Sequence, residues 1–128
     1  MSDYIGASVL SVDDEKVSVN ESGRVKLHRD GARPLVGEAT VLGYGYRVGT
    51  GTTLHVWIIR RRSGYAVYTV HKTIWEGSAD SYTATLCTDA QAVLGTLGGD
   101  SMRRAEQEAW KEAVTHDKQL EAISTVEL

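Results

Sequence analysis

Phenylalanine is absent from this chain, cysteine occurs once, and no apolar run approaches the roughly 18 residues of a membrane-crossing helix. The lone Cys87 excludes an internal disulfide framework, the usual support of small secreted domains. No cationic stretch followed by an apolar one opens the chain, so a soluble, cytoplasmic protein is expected. With no Phe, the aromatic volume falls to three Trp and six Tyr. Each of these carries a polar atom that needs a partner when buried. Close-spaced His-x-His, His-x-x-x-His and Cys-x-x-Cys pairs are missing too, so neither a metal nor a cofactor is expected. No internal repeat and no low-complexity tract stands out.

What remains is 128 residues, the size of one domain, with 41% apolar content and a net charge of −3. That charge argues against a surface that grips nucleic acid all round. The balance is uneven, however. Residues 24–72 are rich in Arg, Lys and His, while both ends are acidic, which permits one basic face.

Hydrophobic rhythm divides the chain near Thr88. Before it, apolar residues recur every second position, as in strands. Residues 1–15, with Asp3, Asp13 and Asp14, are expected to form a loose arm or a weak edge strand. Val17 and Val19, the turn residues Asn20-Glu21-Ser22-Gly23, then Val25 and Leu27 predict a first hairpin. Asp30-Gly31 and Arg33-Pro34 break the pattern before a strand over 38–48. There Leu42, Tyr44, Tyr46 and Val48 are expected on one side, with Ala39, Val41, Gly43, Gly45 and Arg47 on the other. The alternate glycines leave room for a close approach on their face. Further strands follow at 52–61, 65–75 and 81–87, with a loop Glu76-Gly77-Ser78-Ala79-Asp80 before the last. The strand over 52–61 is apolar on both sides, which suits a central position covered twice.

After Thr88 the period becomes helical. Thr88, with Gln91, has capping-box form; Ala90, Val93, Leu94 and Leu97 share a stripe, and Gly98-Gly99 ends it. Asp100 or Ser101 is expected to cap a longer helix to about Asp117, with Ala105, Ala109, Trp110 and Ala113 on its apolar face. Residues 118–128 would extend that helix or form a loose tail. The fold class expected is α+β: a meandering antiparallel sheet of about five to six strands, then a short and a long C-terminal helix packed on one face.

Three groups of residues invite a chemical reading. Arg60, Arg61 and Arg62 crowd a hairpin end, where a β-ribbon presents cations to phosphates; Arg47 and Lys72 would extend the patch. On the order of three phosphate contacts is too few alone for tight binding. A solvated strand end that discourages edge pairing is the simpler account of the arginines. His55 and His71 are expected to face each other across paired strands, with Asp80 or Glu38 near, as half of a metal site. With Tyr44, Tyr46 and Cys87 they would line a pocket between sheet and long helix. Cys87 lies before a capped helix, where a thiol is acidified, but a small buried side chain is the commoner role. The glycine-rich stretch Gly43 to Gly51 lacks the Gly-Lys-Ser/Thr ending and the following helix of a phosphate loop.

The stretch Leu54 to Thr73, a strand, an Arg62-Ser63-Gly64 turn and a Tyr-bearing return strand, resembles the sheet-plus-helix segment of the bacterial EXLDI proteins. The resemblance continues through Tyr82 to Leu97, a strand giving way to a short capped helix. It covers about half the chain and departs at the closing Ser124-Thr125-Val126-Glu127-Leu128. It implies architecture and no activity.

No catalytic constellation assembles from these residues. The leading expectation is a small non-enzymatic accessory or regulatory protein that binds another protein or itself, a homodimer being the simplest case. Nucleic-acid binding through the Arg60–Arg62 hairpin is the first alternative, and an enzyme or ligand-binding cup between sheet and helix the second.

Overall fold

A computed structural model describes residues 9–12, 15–75, 77 and 79–126. Of the expected arm over 1–15, residues 1–8, Asp13 and Asp14 lie outside these, as do Glu76 and Ser78 of the expected loop and Glu127 and Leu128 of the expected tail. Two short strands, β1 (Val9–Val12) and β2 (Glu15–Ser18), pair with each other. Then come β3 (Ser22–Arg29), β4 (Ala32–Gly49), β5 (Thr52–Arg61), β6 (Gly64–Thr73) and β7 (Ser81–Cys87). They form one five-stranded sheet in chain order, each strand antiparallel to the next. Helices α1 (Ala90–Leu97), α2 (Arg104–Val114) and α3 (Lys118–Ala122) follow, with a 3₁₀ turn between the first two. The α+β class, the meander and the C-terminal helices are those the rhythm predicts.

The helices cover one face of the sheet. Leu42, Val56, Ile58, Tyr65 and Val67 pack there against Val93, Leu97, Ala105, Ala109, Trp110, Ala113 and Leu120. Contact with α2 is unusually close. A Cβ on Gly43 would strike the carbonyl oxygen of Ala109, and one on Gly45 that of Ala105. Glycine on the strand and alanine on the helix thus let the two backbones touch. From the same helix, Glu112 Oε1 accepts the Tyr44 N–H at 2.9 Å and Glu108 Oε1 the Tyr46 N–H at 3.4 Å. These amides lie past the point where β3 stops pairing with β4, so the carboxylates satisfy an otherwise open sheet edge.

The other face is covered by the sheet itself. Residues Ala32–Glu38 of β4 pair with β3 alone, because the pairing with β5 ends at Ala39 opposite Arg61. This β3–β4 ribbon curls back over the inner face until its tip meets β7. Asp30 N donates to Tyr82 O at 3.1 Å, and Tyr82 N to Asp30 Oδ2 at 3.2 Å. Two irregularities of β4 accompany the turn: a bulge at Leu42, and a second at Arg33-Pro34, where proline removes no ladder bond. Val25, Leu27, Val41, Ile59, Ala66, Tyr68 and Val70 form the resulting inner core, and Leu10 and Val17 of the β1–β2 hairpin close it.

Several expectations change. The bulge puts Leu42 on the helix face while Val41 and Ala39 point inward with Tyr44, the reverse of simple alternation. β2 does not pair with β3. The Val17 side chain lies over Gly23, and Asn20 N and Glu21 O bond to Val41 instead, so the first hairpin is β1–β2. Asp30-Gly31 is a tight turn and β4 begins at Ala32, earlier than the turn residues suggest. Asp89 caps α1 by accepting the Ala92 N–H, in place of Thr88, and Gly98 ends it at φ 113°. α2 has no side-chain cap and stops at Val114. Lys118–Ala122 form α3, capped by Asp117, and Leu120 is fully buried.

Candidate functional site

The side chains expected to share a pocket separate onto two faces. Tyr44, Tyr46 and His55 point into the inner core, away from α2. His71 stands opposite Leu54 on the helix face and is exposed, whereas His55 stands opposite Val70, so the two imidazoles do not meet. Cys87 is buried on the helix face, its Sγ 3.6 Å from Thr96 Oγ1 and 3.8 Å from Thr85 O. Among the described residues, these two oxygens are its hydrogen-bond partners. Among the described residues no group of three or more His, Cys, Asp or Glu side chains is placed to hold a metal ion. Nor is any helix there long and apolar enough to cross a membrane.

The inner aromatics fill space. Tyr44 Oη and His55 Nδ1 lie 2.6 Å apart, and His55 Nε2 meets Thr53 Oγ1 at 3.1 Å. Trp57 lies tilted between them and Tyr68, its ring centroid 5.1 Å from that of Tyr44 and 5.5 Å from that of Tyr68. Burial, then the nearby charge of Lys72, pulls His55 below the ordinary imidazole value of 6.5. Tyr68 is pushed up to about 12, chiefly by burial, and its hydroxyl accepts the His28 N–H at 3.2 Å.

Of the expected cationic patch, Arg60, Arg61 and Arg62 line one hollow with His116 and Lys118, while Arg47 and Lys72 lie elsewhere. Arg60 Nη1 is tied to Asp117 Oδ2 at 3.1 Å. Arg61 donates to Tyr65 O, Ser63 Oγ and Cys87 O at 2.9, 3.0 and 3.4 Å. Arg62 remains exposed at the turn. Arg47 pairs opposite Leu54 and Lys72 opposite Thr53, so both lie roughly 20 Å down β5 from Arg60, on opposite faces. Arg60 serves a clasp that sequence reasoning missed. Asp117 caps α3, binds Arg60 and accepts the Tyr65 hydroxyl at 3.0 Å. Burial alone would raise this carboxyl; hydrogen bonds from Leu120 N, Tyr65, Arg60 and Gln119 N outweigh it and hold it below 3.8. Tyr65 is pushed up to about 12 by burial and by Asp117.

An open feature lies where the ribbon departs from the sheet. A hollow of about 430 Å³ is lined by Val25, Leu27, Leu35, Ile59, Ala66 and Leu86, with Glu38, Arg61 and Arg62 at its rim. It exists because the ribbon is bare there: a Cβ on Gly37 would meet nothing within 4 Å. Half-exposed Val36 (49%) and Leu86 (52%) border it. Beside it runs the outer edge of β7. The Tyr82 N–H and C=O face away from β6, so by alternation those of Ala84 and Leu86 do as well. Among the described residues, no hydrogen bond reaches Ala84 or Leu86 on that side. The sequence signal was the uncharged run Ser81 to Cys87, which marked a strand but not an edge. No known protein family, curated protein or solved structure matches this chain.

Proposed function

We propose that the protein is a non-enzymatic binding module that acts by associating with protein, and first of all with a second copy of itself. One observation carries this reading: β7 presents a strand edge that is uncharged and, among the described residues, unpaired, alongside an open apolar hollow with half-exposed leucine and valine. Exposed edges and contiguous apolar surface are what soluble chains otherwise avoid, unless a partner covers them. A cytoplasmic setting fits a lone cysteine. Sedimentation velocity over a wide concentration range tests the reading. A concentration-dependent monomer–dimer equilibrium is the expected result, and a monomer throughout would overturn self-association.

The hollow favours one further reading. Its volume falls in the range of small-ligand sites, and its apolar walls with the exposed Arg62 at the rim suit an amphipathic molecule bearing an acid group. Titration with a medium-chain fatty acid, followed by amide shifts at Val25, Ile59 and Leu86, tests it. Shifts confined elsewhere would reject it.

A further inference from the structure

Resting on the self-association reading, we propose that two copies pair through β7, antiparallel about a two-fold axis at Thr85, so that their sheets continue as one. The free part of the edge is short and bounded at both ends. Toward its start, Asp30 already occupies the N–H and C=O of Tyr82. Toward its end, the chain leaves the sheet after Cys87 and Asp89 caps α1. Between these limits only Ala84 and Leu86 aim their backbone groups outward, and Thr85 lies midway.

A second β7 fits this window where a longer foreign strand would not. In an antiparallel pairing about Thr85, Ala84 faces Leu86 of the second copy, and Leu86 faces its Ala84. Both are outward-facing residues, so each becomes a hydrogen-bonded pair that satisfies every free group in the window. Thr85 faces its own counterpart as the intervening non-hydrogen-bonded pair. The Asp30 tip over Tyr82 then stands opposite Thr88 of the second copy, where that strand has already ended. Such self-complementarity is what an isologous interface requires.

The contrast with the other edge groups strengthens the assignment. On β4, Glu112 and Glu108 cap the amides of Tyr44 and Tyr46. At the β3 edge, the amides of His28 and of Asp30, just past the strand's end, bond Tyr68 Oη and Tyr82 O, and the strand carries Arg24 and Lys26. Of the two edge strands of the five-stranded sheet, β7 has neither charge nor proline over its window, and no cap among the described residues.

The test uses Thr85→Cys in a Cys87→Ala background. Cα atoms of a non-hydrogen-bonded pair lie about 4.5 Å apart, within reach of a disulfide. Mild oxidation is expected to convert the variant almost wholly to covalent dimer, while Thr83→Cys in the same background, which has no homotypic neighbour, stays monomeric. Ala84→Pro removes an outward N–H that β6 does not use, and is expected to weaken dimerisation at least tenfold. Leu86→Lys serves the same purpose should the proline variant fail to fold. A wild-type dimer that neither cross-links through position 85 nor responds at 84 or 86 would overturn the edge pairing and leave self-association standing. A wild-type monomer would overturn both.

Discussion

Two buried ionisable side chains answer to acid in different windows. His55 has a folded pKa below its ordinary 6.5, so the fold disfavours its charged form. The unfolded chain therefore takes up a proton first, and stability is lost as pH falls below about 6.5. Replacing His55 by Gln is expected to flatten melting temperature against pH in that range. Asp117 acts lower. Its folded pKa lies below 3.8, so its contribution is present above that value and is lost as pH falls through the folded one. Asp117→Asn keeps a capping side chain but loses the charge, and should remove the steepest part of the acid transition without altering the slope near neutrality. The sequence singled out His55 as a candidate ligand and not as the buried partner of Tyr44 and Thr53, and it marked Asp117 only as a helix end. The partners that define Asp117, Arg60 and Tyr65, lie more than fifty residues away, and only the folded register brings them together.

At the scale of elements, β5, β6 and β7 could be read from alternation because they are regular and paired along their length. β4 could not. A bulge adds one residue on one strand and reverses the facing of all that precedes it, so the sequence assigned Leu42 to the wrong face. The glycines it grouped with Val41 do mark a close approach, but the approaching backbone is α2. Gly45→Ala is expected to destabilise by about 1–3 kcal/mol in denaturant titration, because the new Cβ meets a helix carbonyl that cannot move alone. Truncating the caps of the β4 edge acts differently. Glu112→Ala leaves the Tyr44 amide without its acceptor, a loss of about 1–3 kcal/mol, and bares an edge. Light scattering of that variant should show aggregation that Glu112→Gln does not.

Over the whole molecule, a central strand apolar on both sides with helices packed on one face leaves the second sheet face to be covered. The curl of the β3–β4 ribbon meets most of that need internally, since Leu27, Tyr68 and Val70 of the inner face are all buried. Besides exposed Val48, Ile74 and Trp75 at the far end of the sheet, the hollow under Gly37 and the edge of β7 beside it stay open. These two features separate by substitution. Gly37→Val puts a β-branched side chain into empty space at a position without a left-handed backbone, so no strain accompanies it. Relief of strand glycine entropy alone favours the variant by roughly 0.5–1 kcal/mol. Chemical denaturation should register that gain, and fatty-acid shifts in the hollow should vanish. Dimerisation by sedimentation should not change, because the backbone groups of Ala84 and Leu86 remain free to pair. A variant that loses its dimer while gaining stability would place the contact in the hollow and not on the strand edge.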